Sequence, residues 1–174
     1  MRVAAVPKRP RFRHHTPMTD DAAHATGFLI ARADWDTDAG AIRAIRTAVF
    51  VDEQGIDAEL EFDGSDPDCV HYLAYDMDGH AIATARMAAD GRIGRMAVLP
   101  DYRNQGVGSA LLLSLIELAG EHRLDEVYVH AQESAASFYH QHGFIATDEP
   151  FQEAGITHYS MSRFCETFPP REDE

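Results

Sequence analysis

Hydrophobic positions along the chain change period several times, and each change marks an element. Residues 27–33 alternate weakly, as a half-buried strand would. Trp35, Asp36, Thr37 and Asp38 then supply an N-terminal cap for a helix carrying Ile42, Ile45, Val49 and Phe50 at helical spacing. The stretch 55–67 is acidic and turn-rich, an irregular connection anchored by Leu60 and Phe62. Three β-compatible runs follow, 70–77, 81–89 and 92–99, separated by Asp78-Gly79 and Asp90-Gly91. Asp-Gly between such runs is a strong hairpin signal, so the three are expected to form an antiparallel meander. After Pro100 a polar, glycine-bearing loop leads into 109–122, where Leu111, Leu112, Leu115, Ile116, Leu118 and Ala119 recur at three and four residues and predict a packed helix. A strand at 126–131, a short helix capped by Ser134 and stopped by Gly143, and closing strands at 144–147 and 156–163 complete an α+β or mixed-sheet order.

At 174 residues the chain has the length of one domain and can bury about 70% of the surface its unfolded form exposes. Five of the 15 basic residues (Arg2, Lys8, Arg9, Arg11, Arg13) precede Thr16, among Pro7, Pro10 and Pro17. That segment lacks the apolar stretch and cleavage site of a secretory signal, so 1–26 reads as a floppy basic tail, 27–165 as the domain and 166–174 as a frayed end. No apolar run approaches the roughly 18 residues of a membrane span. The net charge of −14 argues against nucleic acid, which is bound by neutralising phosphates, and favours a cationic substrate. Cys69 and Cys165 are far apart and form no Cys-x-x-Cys unit, so reduced thiols in a cytoplasmic protein are expected. No metal is expected either: His140 and His142 do not share a helix face, and Asp63, Asp66 and Asp68 lack the glycine and terminal glutamate of a calcium loop.

The loop Arg103-Asn104-Gln105-Gly106-Val107-Gly108-Ser109 joins a strand to a helix. Its glycines let a ligand approach the backbone while first-turn N–H groups point outward, the chemistry of an anion site; a glycine-rich helix start without a ligand is the plainer alternative. A dinucleotide loop needs a third glycine where Leu111 stands, and a Walker loop needs Gly-Lys-Ser or Gly-Lys-Thr, which is absent.

The run Met96-Ala-Val-Leu-Pro-Asp-Tyr-Arg-Asn-Gln-Gly-Val-Gly-Ser-Ala-Leu-Leu112 resembles the acyl-CoA-binding motif of the GNAT N-acetyltransferase superfamily, Gln/Arg-x-x-Gly-x-Gly/Ala, with Arg103, Gly106 and Gly108 in place. About thirty residues on, Gln132-Glu-Ser-Ala135-Ala-Ser-Phe138-Tyr139-His-Gln-His-Gly143-Phe144 resembles the second signature, Asn-x-x-Ala-x-x-Leu/Phe-Tyr and then Gly-Phe, with Gln132 where Asn is usual. Val49-Phe-Val-Asp-Glu53-Gln54-Gly55 and Gly155-Ile-Thr-His158-Tyr-Ser-Met161 further resemble the YjcF-like and ElaA-like branch.

The resemblance implies the acyl-CoA N-acyltransferase fold, a central, mostly antiparallel twisted sheet of six to seven strands flanked by helices. It also implies acetyl transfer from acetyl-CoA to a primary amine by direct attack, without a metal. On this reading the diphosphate lies on Asn104, Gln105, Gly106, Val107, Gly108 and Ser109 beside Arg103. The pantetheine arm pairs with Met96, Ala97 and Val98 and meets Gln132, Ala135 and Phe138; the Val98 N–H serves as oxyanion donor and Tyr139 as general acid. The base is open among Glu53, His71, Glu133, Glu153 and His158, with Glu53 and His158 ranked first because the branch motifs contain them; Glu53, Gln54, His71 and His158 are the acceptor-side candidates. The acceptor is a small-molecule amine or a protein lysine or N-terminus, and the superfamily allows a homodimer. Two rivals stand beside this reading: a longer-chain acyltransferase of the acyl-homoserine-lactone synthase kind, and an acyl-CoA sensor without chemistry.

Overall fold

The computed structural model describes residues 27–166; the basic segment ahead of them and the chain end beyond them, with the expectations attached to both, lie outside the described residues. Strand β1 (Phe28–Ala33) leads into helix α1 (Trp35–Arg46). The cap of α1 is Asp34, one residue ahead of the expected group: its carboxylate accepts from the Asp36 N–H at 2.9 Å, and Asp38 accepts from the Asp34 N–H at 2.8 Å. The helix does not run on in α form to Phe50. From Thr47 to Glu53 it widens into a π-helical segment, in which the Gln54 N–H reaches back to the Val49 carbonyl at 3.2 Å. Thr47, Val49 and Val51 are β-branched and weak α-formers, and the wider turn lets Val49 and Phe50 bury side by side below Ile42 and Ile45.

The meander is present as β2 (Val70–Asp76), β3 (Ala81–Met87) and β4 (Arg92–Val98). Each turn is a three-residue loop ending in the expected glycine, with the Gly79 N–H on the Asp76 carbonyl and the Gly91 N–H on the Ala88 carbonyl, both at 3.0 Å. Helix α3 (Val107–Glu121) buries Leu111, Leu112, Leu115, Ile116, Leu118 and Ala119 as the spacing predicts. Strand β5 (Glu126–Gln132), helix α4 (Ala136–Gln141) and strands β6 (Ile145–Ala146), β7 (Phe151–Glu153) and β8 (Ile156–Phe164) follow. Ser134 does not cap α4; it lies inside a 3-10 turn, Glu133–Ala135, that feeds the helix.

All eight strands join one sheet, ordered β1-β2-β3-β4-β5-β8-β6, with β7 also paired to β8. Eight strands replace the expected six to seven because Pro150 and the Ala154-Gly155 turn cut out β7, a three-residue strand too short to show periodicity. Every pairing is antiparallel except β4 with β5, and that one is brief: it joins Arg92 to Tyr128 and Ile93 to Val129. Beyond Ile93 the two strands part. One cause is a bulge, since Gly94 faces Arg86 and Ala97 faces Thr84, leaving Arg95 and Met96 together opposite Ala85, with Arg95 at φ +50°. Helices α3 and α4 cover one face of the sheet, and α1 with its π-helical segment covers the other.

The 55–67 connection is anchored differently from expectation. Leu60 lies 60% exposed on the four-residue helix α2 (Ala58–Glu61), and Phe62 is half-buried beneath the guanidinium groups of Arg43 and Arg46. Ion pairs hold the segment. The fully buried Arg46 reaches Glu61 and Asp66, each at 2.6 Å; Arg86 reaches Asp66 at 2.6 Å and Asp63 at 3.0 Å; and Arg95 reaches Glu61 at 3.0 Å. Burial alone would raise the Asp66 carboxyl, but its bonds to Arg46 and Arg86 outweigh burial and hold it below the usual range. Two of the three aspartates whose spacing fails as a calcium loop, Asp63 and Asp66, are thus arginine partners.

Candidate active site

The parting of β4 from β5 leaves a cleft whose floor is backbone. The Leu99 N–H donates to the Ile82 carbonyl at 3.0 Å, so by the alternation of an antiparallel ladder the neighbouring Val98 turns both its N–H and its C=O away from β3, toward the cleft. Its carbonyl accepts from Arg103 Nε at 2.9 Å. Met96 and Val98 pack toward the α3 side, whereas Ala97 is buried toward α1 and can offer the cleft only backbone.

The cleft meets the start of α3. Gly106 sits there at φ +84°, a left-handed conformation that favours glycine, and it has no side chain with which to cap the helix. The first intrahelical bond runs from the Ala110 N–H to the Gly106 carbonyl at 3.0 Å, so the N–H groups of Val107, Gly108 and Ser109 precede the ladder. A Cβ on Gly106 would meet nothing within 4 Å, and one on Gly108 only Phe138 and Val98 side chains at 3.7 and 3.8 Å. Packing within the protein therefore demands neither glycine; the open space and uncapped N–H groups fit an anion such as a diphosphate. Asn104 is exposed at φ +59°, Gln105 folds back so that its Nε2 donates to the Asp101 carbonyl at 2.8 Å, and buried Val107 anchors the turn.

Tyr139 approaches from the other wall. Gly143, at φ +81°, reverses the chain after α4, and the Phe144 N–H donates to the Tyr139 carbonyl at 3.1 Å, which brings the buried Phe144 ring edge-on to Tyr139 at 5.6 Å. Phe138 also packs edge-on to Tyr139 at 5.2 Å, and half-buried Ala135 begins the helix. Thus gripped, Tyr139 is 8% exposed, and its hydroxyl donates to the Met96 sulfur at 3.3 Å. Burial pushes the phenol up to about 12.

At the mouth, the end of the π-helical segment touches both walls. Glu53 receives two bonds from Arg103, Nη1 to Oε1 at 2.8 Å and Nη2 to Oε2 at 2.6 Å. Gln54 accepts from Gln132, at the end of β5, at 2.9 Å. The bonds from Arg103 hold the Glu53 carboxyl below its ordinary range and, in turn, raise Arg103. His158 lies in register with Gln132 on β8; its Nδ1–H donates to the Ile156 carbonyl at 2.8 Å, so Nε2 carries the lone pair. The structure therefore joins Glu53 to Arg103 and gathers Gln54, Gln132 and His158.

His71 does not join them. It lies on β2, two strands from the cleft, 1% exposed, stacked on Trp35 at 4.9 Å, with its Nε2–H on the Asp66 carbonyl at 2.8 Å. Its Nδ1 has no hydrogen-bond partner among the described residues, and burial lowers its pKa. Glu133 is exposed on the turn after Gln132, and exposed Glu153 stands 4.0 Å from His130. No motif in the sequence singles out His130, although the two-residue period of β5 turns it to the same side as Gln132; its Nδ1 accepts from Arg92 at 3.1 Å, and Phe151 stands edge-on to it at 5.0 Å. Beyond it an open polar trough on the sheet is lined by Glu126, Tyr128, Asp148, Ser160 and Ser162. Asp76, Asp78 and His80 gather at an exposed turn, where His80 and Tyr102 bond the Asp76 carboxylate.

The sequence model of the acetyltransferase (GNAT) domain matches residues 30–164. The Bacillus subtilis protein called uncharacterized N-acetyltransferase YjcF is 31% identical over 122 residues, covering 68% of this chain and 87% of its own. The crystal structure of Escherichia coli ElaA superposes with a TM-score of 0.69 at 30% identity, over 77% of this chain and 98% of that one. A GNAT family acetyltransferase from Elizabethkingia anophelis, solved with acetyl-CoA bound, shares the fold at a TM-score of 0.60 and 20% identity, over 79% of this chain and 98% of that one. Among the described residues no helix is long and apolar enough to cross a membrane. The chain belongs to the GNAT superfamily of acetyltransferases, in the branch that contains YjcF and ElaA, and is an acyltransferase of that type.

Proposed function

We propose that this chain moves an acetyl group from acetyl-CoA to a primary amine by direct attack, with no acyl-enzyme. One observation carries the reading: where β4 leaves β5, the cleft-facing backbone of Val98, the uncapped start of α3 and the Tyr139 hydroxyl converge on one opening. Acetyl-CoA supplies an activated thioester. The N–H groups at positions 106–109 would hold its diphosphate and the backbone at 96–98 its pantetheine arm, with Gln132 exchanging its bond to Gln54 for one to the arm.

The Val98 N–H suits the role of donor to the carbonyl oxygen as negative charge gathers there. As the amine nitrogen bonds the carbonyl carbon and the C–S bond breaks, the electron pair stays on sulfur, and Tyr139 supplies its proton. A phenol raised to about 12 stays protonated through the neutral and mildly alkaline range. It is also a weak acid, so its hydrogen bond to the developing thiolate precedes proton transfer. The proton leaving nitrogen goes to a base at the mouth, for which Glu53 and His158 Nε2 are the two leading candidates. The trough past His130, with Glu126 and Asp148 along it, and the acidic body favour a cationic acceptor.

The donor half is tested by thermal unfolding. Acetyl-CoA and CoA at about 100 times their Kd are expected to add about 2.7 kcal/mol, which for a chain of this size is on the order of 5 to 10 °C, while NADH and S-adenosylmethionine shift nothing. No shift with any CoA species at millimolar concentration would refute the diphosphate site.

A further inference from the structure

Three of the five N–H groups of the Arg103 guanidinium are engaged within the protein: the fork of Nη1 and Nη2 goes to Glu53 and Nε to the Val98 carbonyl. Arg103 also stands three residues ahead of Gly106, at the foot of the turn whose N–H groups suit an anion. Its fork matches carboxylate and phosphate equally well, so Glu53 holds the paired donors that a phosphate would need for a two-point contact. The hold is light: the two side chains are 36% and 42% exposed, and exposed pairs of this kind are weak and screened. Glu53 is also placed to transmit the exchange, because its neighbour Gln54 binds Gln132 on the opposite wall.

We infer that Arg103 is shared between two anions: it pairs with Glu53, the donor's diphosphate takes it over on binding, and the Glu53 carboxylate is thereby released at the mouth of the cleft. The inference rests on the donor reading above and deepens it. Glu53 then acts against the donor on binding and for the reaction afterwards. Freed from Arg103 it loses the bonds that depress its proton affinity, so a competent base arises only when the thioester is in place. Transfer is ordered by this partner exchange, with the Val98 carbonyl still able to keep the Arg103 Nε–H.

The exchange predicts an affinity change of unusual sign. By calorimetry with CoA, which binds without turnover, Glu53→Gln is expected to bind about three- to tenfold more tightly than the unaltered chain, the range an exposed pair and its lost repulsion can supply. Arg103→Gln is expected to bind more weakly, and adding Glu53→Gln to it should change affinity less than about twofold. A pantetheine thiol lacking the diphosphate should bind the unaltered chain and Glu53→Gln alike. Unchanged or weakened CoA binding by Glu53→Gln overturns the exchange while leaving the donor site standing. Equal tightening with and without Arg103 overturns it too, because the effect would then be plain repulsion. Failure of the unaltered chain to bind CoA overturns the donor reading and the exchange together. Unfolding curves of the variants, altered at exposed side chains, verify that each is folded.

Discussion

Tyr139→Phe is expected to lower kcat/KM for acetyl transfer by about 100-fold, the lower end of what a positioned acid contributes, because a thiolate leaves more readily than an alkoxide or amide. The substitution removes one oxygen. Its only hydrogen-bonding contact among the described residues is the bond to the Met96 sulfur at 3.3 Å, a weak acceptor, so the melting curve should move by less than about 1 kcal/mol and CoA affinity should be unchanged. The pH profile separates chemistry from packing. With the phenol held near 12, no loss of activity from its ionisation is expected below about pH 10, the range in which an ordinary tyrosine would begin to titrate. Full activity in Tyr139→Phe would remove the acid from the mechanism and leave Tyr139 as a packing residue between Phe138 and Phe144.

The second large effect is on stability. Arg46→Ala is expected to cost about 3 to 5 kcal/mol, because it strands the buried Glu61 and Asp66 carboxylates that Arg46 now meets at 2.6 Å each. Against a typical total of about 5 to 15 kcal/mol, that is a large fraction, and it should lower the midpoint by on the order of 10 °C. Arg46→Lys keeps the charge but not the fork, so it should lose clearly less. Chemical denaturation of the three proteins decides the matter; a loss under about 1 kcal/mol for Arg46→Ala would mean that Arg86 and Arg95 already satisfy the acidic segment.

Features written in local chemistry are legible in the sequence. The six apolar positions of α3, the Asp-Gly turns and the glycine loop ahead of Val107 depend on neighbours within a few residues, and they appear where the spacing puts them. The family resemblance on 96–112 and 132–144 is equally direct, since both signatures lie in single stretches. Features set by distant partners are hidden. No motif marks Arg46, one turn beyond Ile42 on α1, yet it is fully buried because Glu61 and Asp66 come to it from 15 and 20 residues away. Leu60 reads as an anchor by hydrophobicity and is exposed because those charges do the anchoring. The Arg95 bulge, which opens the cleft, leaves no periodic mark. Glu53 and Arg103 each suit a separate task by residue type; that they hold each other across 50 residues only the fold reveals. His71 suits the acceptor side by its chemistry, although its strand lies two places away.

The central claim is that the opening between β4 and β5 carries out acetyl transfer. The direct measurement is to incubate the protein with acetyl-CoA and a panel of primary amines, among them polyamines, amino sugars, arylamines and lysine peptides, and follow thiol release together with the mass of the amine. The account predicts that at least one amine, a cationic one, gains a single acetyl group in step with CoA release, and that Tyr139→Phe slows both equally. Binding of acetyl-CoA with no acetylated product across the panel, and no difference between Tyr139 and its phenylalanine variant, would contradict it and leave an acyl-CoA-binding module.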